Sequence, residues 1–278
     1  MFCFVNDDLL QVEEASIGIR DLSILRGYGI FDFFRVNDNV PIFLDDHIER
    51  FFASAEKVVD HISFDRDQIL EKISTLINKN GVPLSGIRMV LTGGYSANAY
   101  NQGIANLIIT QESIKFPDDL SYEKGVKVIT HNYVRELPDV KTINYMTGIW
   151  MQREIMKQGA FDVLYHSGGR ITELTRSNFF IVNDQDQLVT PGSGILKGIT
   201  RKKVLGLASR VVEVLEKDIL ISDLHQAKEA FLTGTTKKVL PVTQVDEIII
   251  GGGKPGETTR QLMDMFKGLE RAYVRQYK

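Results

Sequence analysis

The chain has 278 residues, of which 43% are hydrophobic and 25% charged, and its formal net charge is −3. This is the composition of an ordinary globular protein, and a mildly acidic chain lacks the basic surface that nucleic-acid binding needs. No apolar run approaches the roughly 20 residues that cross a bilayer, the apolar N-terminus is too short for a signal sequence, and one cysteine excludes an internal disulfide. We therefore expect a cytoplasmic protein without a membrane segment.

The first 117 residues predict a small α+β domain. Strand-forming residues and polar turns alternate with amphipathic helical patterns in this part of the chain. The predicted elements are strands at 29–36 and 40–43, a helix capped by Asp45 or Asp46, a helix around 69–77, and strands at 86–92 and 105–111.

The polar segment Phe116–Asp119 is the best candidate for a linker. Beyond it, the pattern predicts a larger domain of mixed helices and strands. Its elements are strands at 126–131, 161–165, 178–182 and 229–233, and helices at 147–158, 199–215 and 258–273. We therefore predict an α+β protein of two domains, residues 1–117 and 118–278.

Several common site motifs are absent from the sequence. It contains no phosphate-binding G-x-x-x-x-G-K-[ST] loop, no G-x-G-x-x-G after a strand and no G-x-S-x-G nucleophile motif. The five histidines show no metal-ligand spacing, so we expect no zinc site.

The remaining polar motifs match the requirements of pyridoxal 5′-phosphate (PLP) chemistry. This cofactor needs a lysine, an acid beside its ring nitrogen, an anion-binding cup and a group that binds the substrate carboxylate. The segments that offer such groups are 21–32, 47–51, 141–145, 171–178, 195–201 and 233–236.

Taken in this order, the segments resemble the class IV aminotransferases, the fold-type IV PLP enzymes. That family includes D-amino-acid aminotransferases, branched-chain aminotransferases and aminodeoxychorismate lyases. The resemblance extends over roughly residues 18–262 and implies a two-domain fold-type IV enzyme, with PLP in the larger C-terminal domain and a homodimer as the assembly.

The resemblance also implies roles for single residues. Lys141 resembles the Schiff-base lysine, although a lone lysine in a loop is most often a solvated surface residue. Glu173 resembles the partner of the ring nitrogen and Arg50 the phosphate-binding arginine, although Arg50 is also explained as an ordinary helix-surface residue.

Further cofactor contacts follow from the same resemblance. Ile199 and Thr200 lie where a helix begins, so their N–H groups suit an anion. Thr235 and Thr236 form a turn that completes the phosphate cup or holds the substrate carboxylate, unless they only cap the turn. Tyr145 resembles a tyrosine that hydrogen-bonds the ring oxygen.

The substrate-binding motifs depart from the branched-chain pattern. Arg26 replaces an aromatic residue at a position that in this fold tends to reach the partner's active site, and Arg88 and Lys237 add two further cations. This set resembles a D-amino-acid aminotransferase subgroup that binds carboxylates with two arginines and a lysine. The alternatives are a surface role for Arg26 and a structural ion pair for Arg88. Phe33 is bulky where branched-chain enzymes often have glycine.

The sequence therefore predicts a PLP-dependent aminotransferase that acts on an amino acid, favoured as the D-form, and a 2-oxo acid such as 2-oxoglutarate or pyruvate. A branched-chain L-amino-acid aminotransferase and an aminodeoxychorismate lyase are the enzymatic alternatives. A non-catalytic PLP- or ligand-binding protein is the alternative outside enzymes.

Overall fold

The computed structural model describes residues 1–278 and divides into two compact units. The first unit comprises residues 1–114, 140–144 and 272–278, and the second comprises residues 115–139 and 145–271. The chain thus returns twice to the first unit after leaving it at residue 114. The two domains predicted from the sequence, residues 1–117 and 118–278, remain a prediction; they do not provide for the segments 140–144 and 272–278 in the first unit.

The first unit contains a six-stranded antiparallel sheet with two long helices. Its elements are β1 (Phe2–Val5), β2 (Asp8–Gln11), α1 (Leu22–Arg26), β3 (Gly29–Asn37), β4 (Val40–Pro41), α2 (Leu44–Val58), α3 (Arg66–Asn80), β5 (Leu84–Thr92) and β6 (Leu107–Glu112). The strand order is β2-β1-β6-β5-β3-β4, so the long strand β3 lies next to the edge of the sheet.

Alternation along β3 directs one row of side chains into the core of this unit. Ile30, Phe34 and Val36 are fully buried in a cluster with Ile48 and Phe51 of α2. Side chains two residues apart share one face of a strand, so residue 32, an aspartate, belongs to the same inward row. This row positions a carboxylate beneath α2.

The second unit contains a larger sheet, several short helices and one long helix. Its elements are α4 (Asp119–Lys124), β7 (Val126–Asn132), α5 (Met146–Trp150), α6 (Gln152–Lys157), β8 (Asp162–Ser167), β9 (Arg170–Leu174), β10 (Ser177–Val182), β11 (Leu188–Thr190), α7 (Ile199–Ala208), β12 (Val214–Glu216), β13 (Ile219–Leu220), β14 (Glu229–Gly234), β15 (Lys238–Val245), β16 (Ile248–Ile249) and α8 (Glu257–Tyr277). The last residues of α8, from 272 onward, belong to the first unit.

Six strands of this sheet form a closed ring. Pairing runs β10-β14-β15-β7-β8-β9, and β9 pairs again with β10. The pairs of β7 with β15 and β8 are parallel, and the other pairs in the ring are antiparallel. The ring brings the β9–β10 and β14–β15 turns next to each other, because β10 pairs with both β9 and β14.

Most predicted elements are present, and three predictions were wrong in detail. The helix predicted over 147–158 is interrupted at Met151, and the helix predicted over 199–215 ends at Ala208. α2 is not capped by Asp45 or Asp46, which lie in its first turn, because the cap position is Phe43. None of the helices combines the length and hydropathy of a bilayer-spanning segment.

Candidate active site

A buried charge cluster joins β3 and α2 in the first unit. The Asp32 carboxylate accepts hydrogen bonds from Arg50 Nε and Nη2, both at 2.8 Å, and lies 2.7 Å from His47 Nδ1. Asp32 and His47 are almost fully buried, and Arg50 is only 13% exposed. His47 and Arg50 are three residues apart and therefore lie on one face of α2, directly over the inward row of β3.

The protonation states in this cluster follow from burial and charge. Burial alone would raise the pKa of Asp32, but Arg50 and His47 outweigh it and hold that pKa well below its usual range. Burial lowers the pKa of His47 despite the neighbouring Asp32, and the positive charges of Arg50 and Lys141 lower it further. The cluster is therefore an Asp–Arg ion pair beside a histidine whose protonated form burial disfavours.

Lys141 lies in the segment that returns to the first unit. The backbone O of Lys141 accepts from Phe31 N–H at 2.9 Å, and Ile143 N–H donates to Gly29 O at 3.0 Å, so this segment pairs with the start of β3. The Lys141 ammonium lies 4.4 Å from the centre of the Phe31 ring. Lys141 N–H also donates to Ser54 Oγ of α2 at 3.4 Å, so Lys141 and Arg50, two residues predicted for the site, both lie by β3 and α2.

The predicted substrate residues of the first unit have different surroundings. Arg88 makes a forked ion pair with Glu112 of the neighbouring strand, at 2.6 and 3.2 Å, and its guanidinium lies 5.1 Å from the Phe33 ring centre. The Phe33 ring fills the space that a side chain at Gly86 would need. Arg26 is exposed and donates to its neighbour Leu25 O. The ion pair favours the structural alternative for Arg88.

Glu173 lies on β9 in the second unit, where two groups orient its carboxylate. Arg135 Nε donates to Oε1 at 2.8 Å, and the backbone N–H of Leu196 donates to Oε2 at 3.0 Å. The carbonyl of Leu196 in turn accepts from Asn178 Nδ2 at 2.7 Å. Glu173 and Asn178, which pair across β9 and β10, thereby bind the N–H and the carbonyl of Leu196 in the loop that precedes α7.

That loop presents the N-terminus of α7 without a side-chain cap. The cap residue is Gly198, and no side chain accepts from the first N–H groups of the helix, those of Ile199 and Thr200 among them. A Cβ at Gly198 would lie 2.2 Å from Asn178 Oδ1, so only glycine fits there. Uncapped amides at the positive end of a helix form an anion site.

The β14–β15 hairpin turn carries the remaining predicted residues. Gly234 pairs with Lys238, and Thr235 and Thr236 between them are half-buried. Lys237 is 7% exposed, and its ammonium makes no ion pair or side-chain hydrogen bond. Burial lowers the pKa of Lys237 to about 8, with Asp162 acting against this shift and Arg176 adding to it.

Two buried hydroxyls in this region lack hydrogen-bond partners. They are Ser177 Oγ on β10 and Thr233 Oγ1 on β14, and the Ser177 hydroxyl faces Gly234 of the hairpin. An unsatisfied buried hydroxyl is costly, so these orphaned hydroxyls suit a ligand rich in acceptor oxygens. The residues of the second unit therefore fit a phosphate-bearing cofactor.

Tyr145 lies directly before α5, where its carbonyl accepts from Ile149 N–H. It is half-buried and close to Tyr165. Burial, with smaller contributions from Asp162, Tyr133 and Tyr145, raises the pKa of Tyr165 to about 12. Tyr145 thus belongs to a group of phenols in the second unit, and its predicted contact with the cofactor oxygen stays a prediction.

The sequence motifs predicted no role for Asp32, Arg135 and the two orphaned hydroxyls, although all of these except Arg135 lie in the segments singled out. A signal existed for Asp32, because an acidic residue in the buried row of a strand requires a partner. Arg135 follows β7 in a polar stretch and has no local pattern that distinguishes it from a surface arginine.

A family model described as "Amino-transferase class IV" matches residues 29–245 of the chain. Among similar proteins, a D-alanine aminotransferase of Listeria monocytogenes is 28% identical over 275 residues, covering 96% of this chain and 95% of that protein. A putative branched-chain-amino-acid aminotransferase of Methanocaldococcus jannaschii is 30% identical over 280 residues, covering 97% and 96%.

Solved structures with the same fold include the branched-chain aminotransferase of Escherichia coli. Its TM-score is 0.89 at 24% identity, with 97% of this chain and 94% of that chain covered. The T.th. branched-chain enzyme with pyridoxamine 5′-phosphate matches with a TM-score of 0.88 at 24% identity, covering 96% and 92%. A putative 4-amino-4-deoxychorismate lyase of Legionella pneumophila matches with a TM-score of 0.83 at 26% identity, covering 92% and 96%. These matches confirm the predicted fold-type IV architecture.

Proposed function

The chain belongs to the class IV aminotransferase family and is a PLP-dependent transaminase, and we propose that it transfers the amino group of a D-amino acid to a 2-oxo acid such as 2-oxoglutarate or pyruvate. The premise of family membership rests on a match over most of the chain. The choice of a D-amino acid as donor and of the 2-oxo acid acceptor is the part that requires a test.

The buried amine of Lys237 carries the proposal for the substrate. It follows Thr235 and Thr236 in a tight hairpin turn and has no carboxylate at ion-pair distance within the protein. The charge of Asp162 compensates this buried cation only in part, because burial still lowers the pKa of Lys237. A substrate carboxylate is therefore a natural further partner for the amine.

The branched-chain L-amino-acid alternative keeps specific support. The relative with the highest identity reported above, from Methanocaldococcus jannaschii, is named as a putative branched-chain enzyme. Arg88 is already paired with Glu112, which weakens the argument from two free arginines. The two alternatives differ in the amino donor, so the donor decides between them.

In the first unit we assign Lys141 as the residue that bonds the cofactor and moves a proton. When bound, PLP supplies an electron sink that makes the substrate Cα–H acidic. With the cofactor bound, the amine of Lys141 would be the group that holds it covalently and that carries the proton leaving the substrate Cα. Arg50, held in place by Asp32, offers its remaining guanidinium donors to the phosphate.

In the second unit we assign Glu173 as the acceptor for the ring N–H. Its carboxylate accepts from Arg135 on one oxygen and from Leu196 N–H on the other, and a carboxylate offers about four lone-pair sites. The amides of Ile199 and Thr200, with the hydroxyls of Thr235 and Thr236, bind phosphate oxygens. Tyr145 donates to the ring oxygen, and Phe33 limits the space for the substrate side chain.

The assignment of Lys141 is tested by its alanine variant. We expect Lys141→Ala to lose the visible absorbance that PLP has when it is covalently bound, and to retain at most trace turnover. Lys157→Ala, which removes an exposed lysine, is the matched control and should keep both. Near-normal turnover by Lys141→Ala would overturn the assignment.

The amino donor is tested by single half-reactions followed by cofactor absorbance. We expect D-alanine or D-glutamate to convert the cofactor faster than L-leucine, and aminodeoxychorismate to release no pyruvate. A faster reaction with L-leucine would favour the branched-chain alternative. Pyruvate release from aminodeoxychorismate would favour the lyase.

The proposed carboxylate groups are tested with two acceptors. If Arg26 and Arg88 bind the distal carboxylate, Arg26→Ala and Arg88→Ala should weaken 2-oxoglutarate far more than pyruvate. Glu112→Gln frees Arg88 from its ion pair and serves as a comparison. Equal losses for both acceptors would leave the arginines as general or structural groups.

We also propose that the enzyme is a homodimer, in which Arg26 reaches the partner's site. Arg26 is exposed in the single chain, where its guanidinium donates to the adjacent carbonyl of Leu25. Sedimentation velocity measures the assembly directly, and a monomer with full activity would contradict this part. The cytoplasmic location expected from the sequence stays a prediction.

A further inference from the structure

Arg135 is a mostly buried arginine that has no role in the function proposed above. It lies in the segment between β7 and Lys141 and is 13% exposed. Its Nε donates to Glu173 Oε1 at 2.8 Å, and its Nη2 donates to the carbonyl of Pro138. The guanidinium therefore connects the carboxylate on β9 with the turn that immediately precedes the lysine segment.

Two donors orient the carboxylate of Glu173. Its side chain is 8% exposed, so water solvates it little. Oε1 accepts from Arg135 and Oε2 accepts from Leu196 N–H. A carboxylate offers about four lone-pair sites, and these two bonds hold its plane from two sides.

The charge of Arg135 determines which form of Glu173 this environment favours. Burial alone favours the neutral carboxylic acid, and a cation within hydrogen-bond distance favours the carboxylate. Arginine does not lose its proton in proteins, so its charge is constant over the working pH range. Without Arg135, a proton shared between Glu173 and a ring nitrogen would move toward the glutamate oxygen.

We propose that Arg135 is a positioning residue that keeps Glu173 ionised and aimed, so that the proton of the Glu173–ring nitrogen pair stays on the nitrogen. This inference rests on the proposed role of Glu173. Arg135 touches neither substrate nor the reacting atoms and acts through the glutamate. Its bond to the carbonyl of Pro138 holds the same guanidinium from a second side.

The test uses the intact PLP-loaded enzyme and compares four variants. Arg135→Gln removes the charge, Arg135→Lys keeps the charge without the fork, and Glu173→Gln removes the carboxylate. Arg170→Gln is the matched control, because Arg170 lies on the same strand β9 and makes an exposed ion pair with Asp218. The readouts are the 15N NMR signal of PLP labelled at the ring nitrogen, kcat and KM for the amino donor, and the thermal midpoint.

We expect Arg135→Gln to shift the ring nitrogen signal toward the unprotonated position. We also expect it to lower kcat by about ten-fold or more, the loss for one hydrogen bond to a charged group, with KM changed far less. Arg135→Lys should recover part of both values, and Arg170→Gln should match the wild type. An Arg135→Gln enzyme with a wild-type nitrogen signal and kcat, or with only a lower thermal midpoint, would overturn the proposal.

Two further outcomes separate this inference from its premise. If Glu173→Gln leaves the nitrogen signal unchanged, the assignment of Glu173 fails, and Lys141→Ala tests the enzymatic assignment independently. If Arg135→Gln does not fold, Arg135→Met removes the charge in its place while keeping a long side chain. Wild-type kcat and nitrogen signal in Arg135→Met then overturn the proposal.

Discussion

Replacing Asp32 by asparagine is the most informative perturbation of the first unit. The wild-type carboxylate is completely buried, accepts two bonds from Arg50 and one from Phe33 N–H, and lies 2.7 Å from His47. The isosteric amide keeps an acceptor oxygen but leaves the Arg50 charge without a counter-ion. Breaking one side of a buried ion pair costs about 3–5 kcal/mol, and we expect about 3 kcal/mol because the amide still accepts one bond.

The assay is urea unfolding of the PLP-free protein, followed by circular dichroism, with the variants Asp32→Asn, Arg50→Gln and the double variant. If the pair is coupled, the double variant should be more stable than the sum of the single losses predicts. In a thermal scan, the Asp32→Asn loss corresponds to about 6–12 °C. A loss below about 0.5 kcal/mol, or strict additivity of the two changes, would refute the reasoning.

The same cluster predicts the direction of the pH dependence. The pKa of Asp32 is depressed in the folded state, so its contribution is present above the unfolded pKa of about 3.9 and is lost as the pH falls through the folded value. The pKa of His47 is also depressed, so the unfolded state binds the extra proton and stability falls as the pH drops below about 6.5. Wild-type stability should therefore decline from about pH 6.5 downward, and a stability that is flat from pH 7 to 4 would contradict this sign.

Two further predictions concern the second unit. Gly198→Ala should weaken PLP binding by about ten-fold or more, because the added methyl would lie 2.2 Å from Asn178 Oδ1 and one charged hydrogen bond is worth about that factor. The control is Gly206→Ala in the same helix, whose methyl meets nothing within 4 Å and should stabilise the protein by about 1 kcal/mol. Equal PLP affinity of the two variants in an equilibrium titration would contradict a phosphate-binding role for this helix end. The KM for 2-oxoglutarate should rise as the pH increases through about 8, where the amine of Lys237 loses its charge. The variant Lys237→Gln should abolish that rise. A wild-type KM that does not depend on pH would argue against a contact between Lys237 and the substrate.

The elements that the sequence predicted well are those whose pattern is local. β3 and α3 were found because their buried residues recur with periods of 2 and 3.6. The helix over 199–215 was predicted too long, because Val211, Val212 and Val214 match a helical face. In the structure Val214 belongs instead to β12, which pairs with β11. Tertiary pairing of this kind overrides a local preference and has no signature in a single sequence.

The residues of the candidate site also fall into those with a local sequence pattern and those without one. Lys141, Glu173 and Arg50 were singled out by motifs in their own segments, and their roles remain to be tested. Their supporting partners come from distant segments, since Arg135 lies 38 residues from Glu173 and Asp32 lies 18 residues from Arg50. Such partners are chosen by strand order and helix packing, so they become visible only when the fold is known.

The discontinuous first unit has a consequence for synthesis of the protein. Its sheet receives the segment 140–144 after the chain has left the unit at residue 114, and its surface receives Tyr273 against Phe43 and Lys278 against Asp38 later still. Domains that are continuous in the chain fold as they emerge. This unit instead includes residues made after most of it, so a chain truncated before residue 272 would lack these contacts even though most of the unit had been made.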